Sequence, residues 1–195
     1  MEHNMKNEIL IISGTDKPKT KVKILADYYQ ERIFDLCGLE CPVLCLNDLF
    51  FPDLELQELE KEVLDKESEI VLEVAKKIIS CHNKILFIIP EYNGSYPGAL
   101  KKMMDDIPEY EIWNNKKACL TGISGGRAGN LRGMDHLTDI LNHLKVNVHW
   151  NKLPISNVGN IIKIVPVDID KTYNIIIEKA TEALIDAQIR EFLEF

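Results

Sequence analysis

Short runs of consecutive apolar residues alternate along this chain with longer stretches in which apolar residues recur every three or four positions. Glu8 to Ser13, Pro42 to Leu46, Lys84 to Ile89, Lys117 to Thr121 and Val146 to Trp150 are of the first kind. Such runs, rich in β-branched residues and bounded by turn formers, read as strands buried on both faces. Between them lie helical patterns. Pro18 opens the first, with Val22, Leu25, Ala26, Tyr29 and Ile33 on one face; Ile70, Val74, Ala75, Ile78 and Ile79 mark the second. A third starts around Pro97 and carries Leu100, Met103 and Met104, and a fourth spans Leu131 to Leu144. A closing helix is predicted over Thr172 to Phe192, with Ile176, Ala180, Ala183, Leu184 and Ala187 on one side. The acidic stretch Asn47 to Lys66 predicts a loop with a short helix, and Ile161 to Val165 fits an edge strand or a hairpin arm.

Parallel neighbours need crossover helices, so this alternation predicts an α/β fold: a doubly wound, parallel, five-stranded sheet with helices on both faces. No repeat or linker interrupts residues 1–195, which read as a single domain. A net charge of -8 argues against a nucleic-acid or anionic-membrane footprint. The apolar runs are strand-length, far short of a membrane span, and Met1 to Asn7 lack the apolar stretch of a signal peptide, which places the protein in the cytoplasm. Five cysteines form no disulfide pattern. Cys37, Cys41 and Cys45 step by four, but Pro42 breaks any common helical face; they read as buried or half-buried thiols, not metal ligands. His136 and His143 share a helix face and read as surface residues, so no metal site is expected.

In open sheets of this kind ligands sit beyond the carboxyl ends of the strands. Three of those exits are unusual. After the first strand comes Ser13-Gly14-Thr15-Asp16-Lys17-Pro18-Lys19-Thr20-Lys21, hydroxyl-rich and opening a helix, with free N–H groups and the positive dipole end to receive phosphate. Thr15 and Thr20 supply hydroxyls and Lys17, Lys19 or Lys21 a charge, although a capped helix with solvated lysines explains the loop equally well. After the third strand, Pro90 to Gly98 packs two prolines, two glycines and two tyrosines into a stiff segment that lets backbone approach a flat ligand. After the fourth, Thr121 to Gly129 carries four glycines, which mark close backbone approach, and Arg127, which reads as a solvated arginine. Neighbouring strands would bring the three loops to one rim.

The run Pro90-Glu91-Tyr92-Asn93-Gly94-Ser95-Tyr96-Pro97-Gly98-Ala99-Leu100-Lys101 resembles the Pro-Glu-Tyr-Asn motif and Pro-Gly-x-Leu-Lys helix start of the NADPH-dependent FMN reductase family. Ser124 to Gly129 is similar to that family's second glycine loop. The resemblance covers roughly Glu8 to Ile155 and implies a flavodoxin-like fold. It also implies FMN as cofactor, NADPH or NADH as donor, a small-molecule electron acceptor (quinone, free flavin, azo dye or metal oxyanion), and assembly into a homodimer or homotetramer. It places Thr15, Lys17 and Thr20 at the FMN phosphate. Pro90, Glu91, Tyr92, Asn93, Gly94, Ser124 and Gly125 border the isoalloxazine. Tyr92, Tyr96 and Trp113 serve as interface or ring-edge aromatics, or as ordinary half-buried residues. The first loop departs from the family's Gly-Ser-x-Arg-x-x-Ser: Thr15 and Thr20 replace the serines, Lys17 replaces the arginine fork with a point charge, and Asp16 adds an anion.

The hard chemistry would belong to the flavin, so no catalytic side chain is named; N–H groups around Asn93 and Gly94 would face negative charge on the reduced ring. Two other readings stay open. One is an electron-transfer flavoprotein that needs a partner reductase. The other is a flavodoxin-like module with lost or weak FMN binding, acting in electron transfer or protein association.

Overall fold

Strand β1 (Ile9–Ser13) lies inside a parallel sheet and buries all five of its residues. The computed structural model describes residues 9–18, 20–50, 61–166 and 173–195. On one side β1 pairs with β2 (Val43–Cys45), on the other with β3 (Lys84–Pro90), which in turn pairs with β4 (Lys117–Ile123). With β5 (Asn147–Val148) at the far edge, the order is β2-β1-β3-β4-β5, so the strand sequence reverses direction between β1 and β3. Alternate residues of β1 and β3 divide between the two faces, as the two-residue period of a strand requires. Leu10, Ile12, Ile85 and Phe87 join one core; Ile9, Ile11, Leu86 and Ile88 join the other.

The fifth position is not the single strand expected over Val146 to Trp150. Strand β5 (Asn147–Val148) pairs with Lys117 and Ala118, and β6 (Leu153–Ile155) pairs with Thr121 to Ile123 further along β4. Between them the chain leaves the sheet: Trp150 is 75% exposed, while His149 is buried against Phe192 and Phe195. Burial holds the His149 imidazole below its ordinary value of 6.5, with Glu191 opposing. The unfolded chain therefore takes up this proton first, and the stability that neutral His149 contributes is lost as pH falls below about 6.5. Urea midpoints at pH 7.5 and pH 5.5 are expected to differ by less in His149→Gln than in the wild type; an unchanged difference would remove this assignment.

The helices cover both faces. Helix α1 (Lys21–Cys37) starts after Thr20, whose hydroxyl accepts from Lys23 N, and stops at Gly38 in the left-handed region. Helices α2 (Leu46–Phe50) and α3 (Lys61–Ser80) flank residues 51–60, so much of the predicted loop with a short helix lies outside the described residues. So do Met1 to Glu8, Lys19 and Thr172. Helix α4 (Gly98–Asp106) follows Pro97, its cap, and the short α5 (Tyr110–Trp113) precedes β4. Trp113 is fully buried and donates to the Ile107 carbonyl at 2.9 Å. It is a core residue, not an interface aromatic. Helix α6 (Leu131–His143) and the single-turn α7 (Val158–Ile161) follow β4 and β6.

The closing segment differs from expectation. Tyr173 to Ile177 is strand β8, antiparallel to β7 (Ile162–Pro166), and α8 (Lys179–Glu194) begins only after it. Three successive isoleucines favour extended backbone because their branched Cβ atoms lose rotamer freedom in a helix; the helical spacing of Ile176 was coincidental. The expected hairpin arm over Ile161 to Val165 is β7, shifted by one residue because Ile161 closes α7. Helix α8 docks through Arg32, which holds Asp186 with two hydrogen bonds, and through the fully buried Gln188. The Gln188 oxygen accepts from Tyr29 at 2.7 Å and Thr121 at 2.9 Å, and its amide donates to the Leu120 and Asn151 carbonyls.

Cys41 and Cys45 are buried, whereas Cys37 is exposed at the end of α1, where its thiol donates to the Ile33 carbonyl. The three cysteines thus sit on a helix end, a connector and a strand. Among the described residues no cluster of acidic, His or Cys side chains could hold a metal, and no helix is long and apolar enough to cross a membrane.

Candidate active site at the strand exits

Because β1, β3 and β4 are neighbours, the loops that follow them share one rim. The first loop leaves β1 through Gly14, whose N–H donates to the Ile88 carbonyl of β3 at 2.9 Å. Thr15 is buried and accepts from Lys17 N at 3.3 Å. With Thr20 capping Lys23, the N–H groups of Lys21 and Val22 find no acceptor among the described residues. A cleft of about 240 Å³ opens here, lined by Ser13, Thr15, Lys17, Lys23, Cys45 and Asp48 among others. Burial pushes the Cys45 thiol up to about 11 despite nearby Lys23, so it stays protonated beside the cleft. Hydroxyls, free N–H groups, the α1 dipole and Lys17 suit a phosphate; Asp48 opposes one.

The second loop makes a tight hairpin turn. Tyr92 N donates to the Ser95 carbonyl at 2.9 Å and Ser95 N to the Tyr92 carbonyl at 3.1 Å. The two residues between have φ of 51° (Asn93) and 77° (Gly94), the combination that Asn-Gly adopts most cheaply. Such a turn leaves the central amides pointing outward, and neither Asn93 N nor Gly94 N has an acceptor among the described residues. Glu91 N instead donates to the Ile123 carbonyl at 2.9 Å, tying the loop to β4.

Tyr92 reaches back across the rim. Its hydroxyl shares a hydrogen bond of 2.8 Å with Thr15, and the Lys17 ammonium lies 4.6 Å from its ring centroid. Two residues expected at a phosphate and one expected at a ring thus touch, although 77 positions separate Thr15 from Tyr92.

In the third loop the Ser124 hydroxyl is spent internally: it donates to the Gly126 carbonyl and accepts from Gly129 N, both at 2.9 Å. Ser124 shapes the loop. A Cβ on Gly125 or Gly126 would meet nothing within 4 Å, so these two glycines present bare backbone outward. Arg127 is exposed. The expected residues therefore gather as one constellation: Thr15, Lys17 and Thr20 at the α1 end, Pro90 to Gly94 in the middle, Ser124 and Gly125 beyond.

The residues NADPH-dependent FMN reductases share extend well past these loops: their family model matches residues 7–158. The chain belongs to the NADPH-dependent FMN reductase family. That family is one of oxidoreductases that use FMN with NAD(P)H as electron donor. The NAD(P)H-dependent FMN reductase LOT6 of Saccharomyces cerevisiae is 30% identical over 169 residues, 80% of this chain and 86% of its own length. A probable NADPH:quinone oxidoreductase 2 of Oryza sativa is 29% identical over 107 residues, 54% of this chain and 52% of its own. Among solved structures, FerB, a flavoenzyme NAD(P)H:(acceptor) oxidoreductase from Paracoccus denitrificans, superposes with a TM-score of 0.66 at 20% identity, over 97% of this chain and 96% of FerB. At that identity the likeness is one of fold.

Three residues on this FMN-reductase rim are absent from the sequence-derived set. Arg132 and His136, one turn apart on α6, flank the second loop: His136 Nδ1 is 2.9 Å from the Ser95 hydroxyl, and Arg132 lies against Gly94. Asn130, just before α6, is buried between the second and third loops. An Asn ahead of an amphipathic helix reads as an ordinary cap, and nothing in the one-dimensional pattern shows that it faces sideways.

Proposed function

We propose that this chain holds FMN across the exits of β1, β3 and β4, takes a hydride from NAD(P)H, and passes reducing equivalents to a small acceptor. Quinones, free flavins, azo dyes and metal oxyanions are the acceptor classes. The observation that carries this reading is the meeting of the three loops, each presenting N–H groups that have no acceptor among the described residues, with Lys17 as the cation. Bound FMN supplies acceptance of a hydride and delivery of one or two electrons. The residues supply the rest. Thr15, Lys17 and Thr20, with the first-turn N–H groups of α1, hold the phosphate. Pro90, Glu91, Tyr92, Asn93 and Gly94, together with Ser124 and Gly125, would border the ring. The N–H groups of Asn93 and Gly94, already oriented by the turn, would face the negative charge of a reduced ring.

The reading extends to surroundings. Five thiols, all free, suit a reducing cytoplasm. Apolar side chains left exposed on α3 (Ile70 at 64%, Val74 at 51%) suit a homodimer or homotetramer.

The test is direct. Purified protein is mixed with FMN, the visible flavin absorbance is followed through a desalting column, and NADPH is added without air. Retention and bleaching of the colour are expected; a protein that neither takes up FMN nor bleaches it sinks the reading. Lys17→Ala is expected to raise the FMN dissociation constant about tenfold, the worth of one charge-assisted hydrogen bond. Thr20→Val should do similar harm, losing both a ligand and the cap of α1. Asp48 in the cleft and Asp16 in the loop favour the second reading, a flavodoxin-like module with weak FMN binding. It predicts uptake only at high FMN and no oxidation of NADPH.

A further inference from the structure

Asn130 is 1% exposed, sits at φ 62°, and makes no capping bond to α6. Its side-chain amide turns instead toward β3 and donates to two consecutive carbonyls, Ile89 at 3.1 Å and Pro90 at 3.0 Å. These are the last two residues of the strand from which the second loop springs. One buried NH₂ group thus spends both hydrogens on the root of that loop. A left-handed backbone is costly for a side-chain-bearing residue, though least so for Asn. Glycine would adopt it without strain, yet only a side chain with two donors and neutral charge can satisfy both carbonyls.

The neighbours are cut to receive it. A Cβ on Gly133, one turn into α6, would overlap the Asn130 oxygen and come within 2.7 Å of the Ser95 carbonyl carbon. Hence α6 touches the Tyr92–Ser95 turn backbone to backbone at this point. A Cβ on Gly94 would lie 3.0 Å from the Arg132 guanidinium, which closes the turn from the same side. The Ser95–His136 bond adds a third attachment. On its other side Asn130 follows Gly129, whose N–H is held by Ser124. The Asn130 oxygen is buried with no partner among the described residues, so the NH₂ group makes every side-chain hydrogen bond that holds this residue.

We propose that Asn130 is a positioning residue that locks the second and third loops into one rigid unit and thereby fixes where the Asn93 and Gly94 amides point. This goes beyond the FMN assignment in naming what sets the geometry of the ring edge, and its flavin readouts rest on that assignment. Asn130 touches no reacting atom. It acts through the Pro90 carbonyl and the turn that follows.

Asn130→Gly keeps the backbone conformation and deletes both donors; Asn130→Asp keeps the shape but sets a carboxylate against two carbonyl oxygens. Amide hydrogen exchange in the flavin-free protein reads the clamp itself. The Glu91, Tyr92 and Ser95 amides, which hold the turn, are expected to exchange at least about tenfold faster in Asn130→Gly, the loss of two net hydrogen bonds, while Leu10 and Ile11 of β1 keep their wild-type rates. A merely structural role would instead raise all of these together, and that result overturns the proposal. With FMN, the dissociation constant is expected to rise about tenfold and the midpoint potential to move, with Asn130→Asp affected more than Asn130→Gly. Wild-type affinity and potential in a folded Asn130→Gly overturn the positioning role. If wild-type protein takes up no FMN, the cofactor assignment fails, and the exchange pattern alone still decides whether Asn130 locks the loops.

Discussion

Gly122→Ala is expected to lower stability by about 3 kcal/mol, the top of the range for overpacking, and to abolish FMN uptake. A methyl group there would overlap the Gly129 carbonyl oxygen and come within 3.0 Å of Met134 and 3.1 Å of Asn130. Overpacking is often relieved by a flexible neighbour, but the main obstacle here is backbone. Gly129 is held by Ser124 through its N–H and is pressed against Pro154, so its carbonyl has little freedom to swing away. The strain passes into the third loop and, through Asn130, into the second. The urea midpoint should fall with an unchanged slope, which separates lost stability from a changed unfolded state. A variant with wild-type midpoint and wild-type flavin uptake would contradict the packing described for β4.

Gln188→Ala is expected to cost about 4 kcal/mol, as much as a large core truncation. Its amide uses all four hydrogen-bonding positions in a site closed to water, so truncation strips partners from Tyr29, Thr121, Leu120 and Asn151 at once. In Tyr29→Phe the Gln188 oxygen keeps Thr121 as a donor and its amide keeps both carbonyls, so this variant should be far milder, about 1 kcal/mol. Burial holds the Tyr29 hydroxyl well above its ordinary value, which keeps it a neutral donor. Equal losses in the two variants would show that Gln188 is not the hub. Gln188 lies in α8, beyond residues 7–158, yet it reaches the middle of the central sheet.

Much of this was legible in the chain. Continuous apolar runs announced β1, β3 and β4 because strands buried on both faces need no alternation. Clustered Gly and Pro after those runs announced the loops, and the neighbouring order of the strands placed them together. What periodicity missed has physical causes. Tyr173–Ile177 satisfies a helical and an extended pattern at once, and the pairing partner that decides between them lies in β7. The two pieces β5 and β6 are too short for a run to register, and His149 hides the break by being buried. Asn130 escaped because its partners are backbone carbonyls about 40 residues away, which leave no trace in side-chain pattern.

The contact between Thr15 and Tyr92 has a thermodynamic consequence. The loops after β1 and β3 share a hydrogen bond and a cation, so they cannot respond independently. To whatever degree an anion at α1 draws Lys17 off Tyr92, it alters the hold of the second loop on a flat ligand, and that ligand alters anion affinity by the same factor. The two ends of one cofactor would then be recognised cooperatively, and the energy gained from the whole would differ from the sum of its fragments.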